Sequence, residues 1–415
     1  MTQDHPNYDC VIAGGGYVGL STAVAIKASA PHLKIMLIDA APEAAVLKDE
    51  RASAIAAAAS RMLDQLGLWS ELVEHAQPIH EMIVTDSRAA DPVRPVFLTF
   101  GQALSEAEEM AGDEPFAHML PNRALVKALR AKAAELGVEL LHEDAVVSFE
   151  TADPVSTVEL SSGQVVSARL LIAADGVKSK LRDLAGIKTV HWSYDQMGIV
   201  TTVAHERPHH GRAEEHFLPS GPFATLPLPG NRSSLVWTEP TDNAKRLMAA
   251  DDFTFELELE QRFGHKLGDI EVAGPRKAFP LGLTLARDFV RPRFALVGDA
   301  AHGIHPIAGQ GLNLGFKDAA ALAQVVVETD RLGLDIGAIT ALENYQRWRR
   351  FDTVQMGVVT DVLNRLFSND IGPLRMARTI GLGIVDRLPG LKQSFINQAA
   401  GRSNSNPALL NGDAI

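Results

Sequence analysis

The chain is poor in cysteine, in positive charge and in long apolar runs. Cys10 is the one cysteine among 415 residues. That excludes an intrachain disulfide and a thiolate metal cluster, and it suits a reducing cytoplasm. Lying in the first apolar run, Cys10 reads as a buried strand residue. The formal net charge of −12 weighs against non-specific binding to nucleic acid or to anionic membranes. No apolar run reaches the roughly 18–20 residues that a membrane-spanning helix needs. Residues 1–7 are polar and lack the basic start and apolar stretch of a secretory signal. The expected location is therefore the cytoplasm, with peripheral attachment to the inner face of a membrane left open. Several chemical motifs are missing as well: no G-x-S-x-G elbow, no H-E-x-x-H pair and no Walker loop.

Two glycine-rich turns stand out against these absences. The first is Gly14-Gly-Gly-Tyr-Val-Gly19, between an apolar run at 8–13 and an Ala-rich stretch at 20–30, with a second apolar run ending at Asp39. Strand, helix and strand in that order form the βαβ context in which a G-x-G-x-x-G pattern is specific. Gly14 permits the tight turn, Gly16 lets the backbone approach a pyrophosphate, and Gly19 lets helix and strand pack closely. The free N–H groups at the helix start favour the anion. Asp39 would accept from ribose hydroxyls and repel a 2′-phosphate, so the site suits FAD or NAD better than NADP. The second turn follows the apolar run at 294–297. It reads Gly298-Asp-Ala-Ala-His-Gly-Ile-His-Pro-Ile-Ala-Gly-Gln-Gly-Leu-Asn313 and runs on to Asp318. Asp299 ends a strand where a carboxylate can accept from a ribityl hydroxyl. Pro306 to Asn313 is rich in glycine and free of bulky charge, so its backbone N–H groups can lie against a planar ring. A helix starting near Leu312 would direct its positive end at an electron-rich ring edge. Together the two turns suggest one large cofactor held from two sides. No second complete dinucleotide fingerprint is present, so a nicotinamide donor would bind transiently.

Other residues carry weaker signals. Arg51 reads either as a contact to the cofactor's phosphates or ribityl chain, or as a surface charge opening a helix. Asp175-Gly176 ends a strand without a following glycine pattern. Asp175 could bond a hydroxyl or an N–H near the cofactor, and Gly176 would avoid a clash there. Ser179 and Arg182 read as a local cap and pair. His302 and His305 have no Cys or carboxylate cluster beside them, so packed or hydrogen-bonding histidines fit better than metal ligands, and no metal site is expected.

The fold class is α/β: a Rossmann-like FAD-binding domain interleaved with a β-rich substrate domain, followed by a helical C-terminal region. The expected pieces are 1–78, 115–185 and 290–345 for the cofactor domain, and 79–114 and 186–289 for the β-rich domain. C-terminal helices are expected over 346–401 and a disordered tail over 402–415. One helix is expected inside the β-rich part, near 254–263.

Three motifs in fixed order carry a family resemblance: G-G-G-Y-V-G with Asp39, A-D-G-V-K-S-K-L-R, and G-D-A-A-H-G-I-H-P-I-A-G-Q-G-L-N-L-G-F-K-D. The chain resembles the para-hydroxybenzoate hydroxylase-like FAD-dependent aromatic hydroxylases. His305 to Asp318, together with Asn364-Arg-Leu-Phe-Ser368, Asp386 to Lys392 and Gln398 to Gly401, is similar to the ubiquinone-biosynthesis hydroxylases within that family. The resemblance implies reduction of FAD by NAD(P)H, reaction with O2 to a C4a-hydroperoxyflavin, and hydroxylation of the ring of a polyprenyl phenol. The flavin carries the chemistry, so no protein acid or base is nominated as catalytic. Carried over as cofactor contacts are Gly14, Gly16, Val18, Gly19, Asp39, Arg51, Asn122, Asp175, Gly176, Asp299, Pro306, Gly309, Gly311, Leu312 and Asn313. Asp39 departs from the Glu more frequent in the wider family, and Arg123 competes with Asn122 for its role. Trp192, Tyr194 and 217–229 are expected on the substrate side. The stretch 345–402, apolar with many arginines, reads either as a surface for a membrane or a pathway protein, or as a packing helix with a solvated basic face. Two rival functions remain: the same chemistry on a small soluble aromatic acid, and a flavoprotein dehydrogenase or reductase without oxygenase activity.

Overall fold

A computed structural model of the chain describes residues 5–87, 94, 96–100, 115–305, 309–368, 401 and 405–415. Five strands lie in parallel in the order Phe294–Leu296, Val165–Ala173, Asn7–Ala13, Ile35–Asp39, Glu139–His142. The central three are almost wholly apolar and buried on both faces, as parallel strands between helical layers must be. Because the strands are parallel, their carboxyl ends share one edge. Residues 14–16, 40, 174–176 and 297–299 leave the sheet there, at the position where open α/β sheets take their ligands.

The fingerprint helix is Tyr17–Ser29, and every residue from Gly19 to Lys27 is buried. A helix enclosed on all sides needs small apolar residues rather than one apolar stripe, which explains its alanines. It packs against helices Asn122–Glu135 and Gln310–Arg331. A side chain at Gly315 would run into Val18, so glycine there lets the Gln310–Arg331 helix close on the fingerprint helix.

The second sheet has nine strands. Its main path runs His302–Gly303, Lys277–Ala286, Thr189–His205, Arg232–Pro240, Gly221–Leu228, Arg212–Leu218, Glu81–Asp86, Val96–Phe100. Helices Thr241–Ala249 and Asp252–Phe263 cover one face over Phe223, Trp237, Leu247, Phe255 and Leu259. On the other face Met82, Ala213 and Leu228 pack against Ala54 and Met119. Those two belong to a three-stranded sheet of Ala52–Ala56, Ala117–Pro121 and Gln77–Ile79. The long helix Ile339–Phe367 spans both parts, from Leu342 and Tyr345 in the larger core to Phe367 on Phe217.

Four expectations differ from the structure. The expected disordered tail over 402–415 is ordered where it is described, from 405: Ala408–Asn411 is a helical turn, with Leu409 and Leu410 each 1% exposed. These leucines dock among helices Ala57–Gln65 and Gln310–Arg331, which outweighs the polar composition just upstream. Thr241–Ala249 adds a second helix to the β-rich part. His302–Gly303 lies within the stretch expected in the cofactor domain, yet it pairs with Lys277–Ala286 of the second sheet. The fingerprint helix starts at Tyr17 rather than at residue 20, because Gly16 is its cap. Expectations for 102–114, for 369–400 and for Pro306 lie outside the described residues.

Candidate cofactor site

At the first turn, each glycine meets a different neighbour. Gly14 has φ +121°, and a Cβ there would strike the Ala174 carbonyl. Gly15 lies against the Asp39 carboxylate, and Gly19 against the Gly14 carbonyl. Gly16 differs: it is exposed, and an added Cβ would find no protein atom within 4 Å. The protein itself does not require glycine at that position, but a ligand approaching the backbone would. No side chain caps the helix that starts there, so its first N–H groups stay available to an anion.

Asp39 ends its strand as expected and has a partner that sequence reasoning missed. Arg130 Nη2 donates to Asp39 Oδ2 at 2.8 Å, and the Ala41 amide donates to Oδ1 at 3.1 Å. Arg130 is buried in helix Asn122–Glu135 beside Leu129 and Ala133. An arginine on the apolar face of a helix is the signal that could have revealed it, since buried charges are paired.

Arg51, Asp49 and Asn122 form one unit. Arg51 Nε and Nη2 each donate to Asp49 at 2.8 Å, and Asn122 Nδ2 donates to the same carboxylate at 3.3 Å. Burial alone would push the Asp49 carboxyl up. Its bonds from Arg51 and Asn122 outweigh that and hold it below the usual range. Ser53 Oγ donates to Asn122 Oδ1 at 2.8 Å. The Asn122 side chain is thus occupied as a brace for the Arg51 loop. Arg51 itself stays exposed, over the Phe279 ring at 5.8 Å.

The second motif reaches the third. Asp175 Oδ2 accepts from the Leu181 amide at 3.3 Å, whereas buried Oδ1 has no partner among the described residues. Gly176 has φ +83° and open space beside it. Ser179 Oγ caps the short helix by accepting from the Arg182 amide at 3.0 Å, as expected. Arg182 Nη1 donates to the Val177 and Ala300 carbonyls at 3.2 and 3.0 Å. One guanidinium therefore ties the Asp175 turn to the Gly298–Asp299 turn.

Below the Asp299 turn lies a buried charge network that the motifs did not disclose. Asp318 is fully buried and accepts from the Gly298 amide at 2.9 Å, from His302 Nε2 at 2.5 Å and from Arg349 Nε at 2.8 Å. Burial would raise this carboxyl, but His302 and Arg349 hold it below its usual range. Arg349, 1% exposed, also donates to Asp352 at 3.0 Å. The turn is thereby held with Asp299 facing outward. Asp299 is exposed to solvent, yet surrounding protein desolvates its carboxyl and raises it, as at the floor of a cleft.

Gly309 has φ +63° and caps helix Gln310–Arg331 without a side-chain bond. Gly311 has open space where a side chain would be, and Leu312 is buried. Asn313 is committed to protein: Oδ1 accepts from the Ala56 amide at 2.9 Å, and Nδ2 donates to the Ala54 and Gly309 carbonyls at 3.0 and 3.2 Å. It clamps strand Ala52–Ala56 to the helix start. Val18 packs beside both Gly298 and Gly315, so it wedges between the first and third motifs. His305 is fully buried, with the Tyr194 ring edge-on at 5.4 Å; burial lowers it to about 4 and leaves it a neutral packed imidazole. Trp192 Nε1 is bonded to Asp361 of the long helix at 3.0 Å.

This arrangement fits FAD. Two uncapped helix N-termini lie side by side across Val18. Space is open at Gly16 and Gly311, and Asp175 Oδ1 has no partner among the described residues. The FAD binding domain family matches residues 7–331. The chain belongs to this family. Within it, the chain is one of the ubiquinone-biosynthesis hydroxylases. It is 44% identical over 404 residues to the ubiquinone hydroxylase UbiL of Rhodospirillum rubrum, covering 96% of this chain and 91% of that protein. To the 3-demethoxyubiquinol 3-hydroxylase of Escherichia coli it is 32% identical, over 95% of this chain and 98% of that one. The human mitochondrial ubiquinone biosynthesis monooxygenase COQ6 is 30% identical, over 94% and 92% of the two chains. Among solved structures, p-nitrophenol 4-monooxygenase from Pseudomonas putida superposes with a TM-score of 0.79 at 19% identity, covering 96% of this chain and 99% of that one; at such identity the likeness concerns the fold. The protein is accordingly an FAD-dependent monooxygenase. No helix among the described residues is long and apolar enough to cross a membrane, and no group of three or more His, Cys, Asp or Glu is placed to hold a metal ion.

Proposed function

We propose that this monooxygenase hydroxylates the aromatic ring of a polyprenyl phenol on the route to ubiquinone, with O2 as co-substrate and NAD(P)H as a transient electron donor. The likeness to ubiquinone hydroxylases over nearly the whole chain carries this reading. Bound FAD supplies the redox chemistry, accepting electrons from the donor and activating dioxygen. The protein's task is to hold, orient and exclude water. Gly14, Gly16 and Gly19 receive the pyrophosphate at the first helix start, with Asp39 on the adenosine ribose. Arg51, held by Asp49 and Asn122, and Asp175 with Gly176 flank the middle of the cofactor. Asp299 receives the ribityl chain, and the backbone at Gly309, Gly311 and Leu312 lies against the ring. Asn313 and Val18 keep these parts in register.

The face of the second sheet turned toward Ala54 bears Met82, Ala213 and Leu228, which suits an apolar substrate. On helix Ile339–Phe367, Phe351, Val354, Val358 and Val362 are exposed in one stripe, with Arg347, Arg350 and Arg365 exposed near it. We assign this stripe to contact with the lipid surface from which a prenyl substrate must come. The functional reading is tested by reducing the purified yellow protein anaerobically with NADPH or NADH, adding a short-chain prenylphenol and labelled dioxygen, and weighing the phenol. One labelled oxygen in the product is expected. Reoxidation with no oxygenated phenol refutes the reading.

A further inference from the structure

On strand Arg212–Leu218, Glu215 is 4% exposed. It makes no hydrogen bond or ion pair with any described residue, and loss of water pushes its carboxyl up to about 8. A buried carboxyl group with no partner among the described residues is costly to a fold, so its presence calls for a purpose. Its direction is fixed by the strand alternation. Ala213 and Phe217 share its face, and both turn away from the helices that cover the other side. Ala213 packs in the cluster with Ala54 and Met119. Ala54 is the strand residue whose carbonyl accepts from Asn313 at the start of the ring-cradling helix, and it lies 3.3 Å from where a Gly309 Cβ would be. The Phe217 ring lies 4.3 Å from that of Phe367 on the long helix, tilted by 33°. Glu215 thus stands between these two contacts, on the sheet face whose neighbour Ala213 packs toward Ala54 and, through it, Gly309. Its register neighbours on that face are Val84 on one side and Ala224 on the other. The titratable group nearest along the same face is Asp86, opposite Phe217 on strand Glu81–Asp86. The three-stranded sheet offers Ala54 and Met119 there, and strand Gly221–Leu228 contributes no titratable residue.

We propose that Glu215 is a catalytic residue that takes the substrate's phenolic hydroxyl, accepting its hydrogen bond and then its proton. This rests on the functional reading above. The phenolic O–H bond breaks, an O–H bond forms on the Glu215 carboxylate, and the electron pair stays on the phenolic oxygen. That raises the electron density of the ring positions ortho and para to it, where oxygen is to be added. When the hydroxylated ring regains aromaticity, the proton of the substituted carbon passes to the second atom of dioxygen, which leaves as water, and the phenolic oxygen recovers its own proton from Glu215. The carboxylate is restored at each turnover. An apolar wall with one acid fits a neutral phenol with an apolar tail, since the phenol brings the donor that the acid lacks.

The test uses the FAD-loaded enzyme and a short-chain prenylphenol, with Glu215→Gln and Glu215→Leu. Flavin content and melting temperature are measured beside product formation across pH 6 to 10. Both variants are expected to keep FAD and to melt no lower than the parent, because each removes a buried unpaired acid. Product kcat/KM at neutral pH should fall about 100-fold, the usual range for loss of a positioned base. In the parent, activity rises with pH through the Glu215 ionisation near 8. In Glu215→Gln that rise moves toward roughly pH 10, where a free phenol ionises by itself. Variants within roughly two-fold of the parent and with the same pH profile would overturn the proposal. So would variants that lose flavin and melting temperature in step with activity, which would mark a structural role. A parent enzyme that makes no oxygenated phenol refutes the functional reading instead, and Glu215 then has no such substrate to serve.

Discussion

Asp318→Asn is the sharpest perturbation of the site, because it leaves shape intact and removes one buried charge. The carboxylate is fully buried and receives three donors, two of them from His302 and Arg349. Arg349 is 1% exposed, and its remaining acidic partner, Asp352, is partly open to solvent. The substitution therefore strands a guanidinium that water cannot reach. Breaking a buried pair from one side costs about 3–5 kcal/mol, a large part of a typical net stability of about 5–15 kcal/mol. Urea unfolding of parent and variant, followed by tryptophan fluorescence, measures the loss. Gel filtration measures the flavin released, which should rise because the Gly298 amide no longer has its charged anchor. The pH dependence has a definite sign. The folded Asp318 carboxyl titrates below its usual value, so its stabilisation is complete above the unfolded value of about 3.9 and is lost as pH falls through the lower folded value. The deficit of the variant should thus be constant from neutral pH down to about 5 and shrink in stronger acid. Asp352→Asn, at the open end of the network, should cost no more than about 1 kcal/mol. A loss below about 1 kcal/mol for Asp318→Asn, or a deficit that grows on acidification, would refute the view that this network anchors the turn.

Other substitutions separate folding from cofactor binding. Gly16→Val should leave the melting temperature of the flavin-free protein unchanged while abolishing flavin retention on gel filtration, since its side chain meets only ligand space. Gly14→Val should lower both, because its Cβ meets the Ala174 carbonyl and the backbone sits at φ +121°. Asp299→Ala should release flavin with no loss of stability in the flavin-free protein, checked by calorimetry, because the carboxylate is desolvated without a strong partner. Leu410→Ala should destabilise by about 2–5 kcal/mol in urea unfolding, as expected for a buried leucine, and a neutral result would mean that the C-terminal turn is not docked.

The parts of the site that sit in one short stretch of chain are legible in the sequence. Gly14, Gly16, Asp39, Asp175 and Asp299 each lie at a strand end, and the strand-turn-helix pattern around them is local. The parts that are not legible are paired across distance. Arg130 meets Asp39 across 91 residues, and Arg349 meets Asp318 across 31. Neither pair has a spacing that a sequence pattern can express. The same limit explains Asn122 and Asn313. Their positions in the sequence do not reveal that their side chains bond to protein, Asn122 to Ser53 and Asp49 and Asn313 to the backbone of Ala54, Ala56 and Gly309. The tail reads as disordered because two adjacent leucines carry no periodicity, and only the surfaces of two other helices make them a core.

Sequence alone determined the kind of ligand and the order of the parts. Glycines that permit a turn, an acid at a strand end and an Ala-rich helix between strands are local requirements of phosphate and ribose binding, and they are written consecutively. Tertiary structure decided which groups are spent on the fold and which remain free. Hydrogen-bond satisfaction is a property of neighbours in space: Asn313 has three backbone partners, while Asp175 Oδ1 has none among the described residues. It also decided that Glu215 is buried without a partner among the described residues, because strand pairing, and not its neighbours in sequence, turns that carboxyl inward.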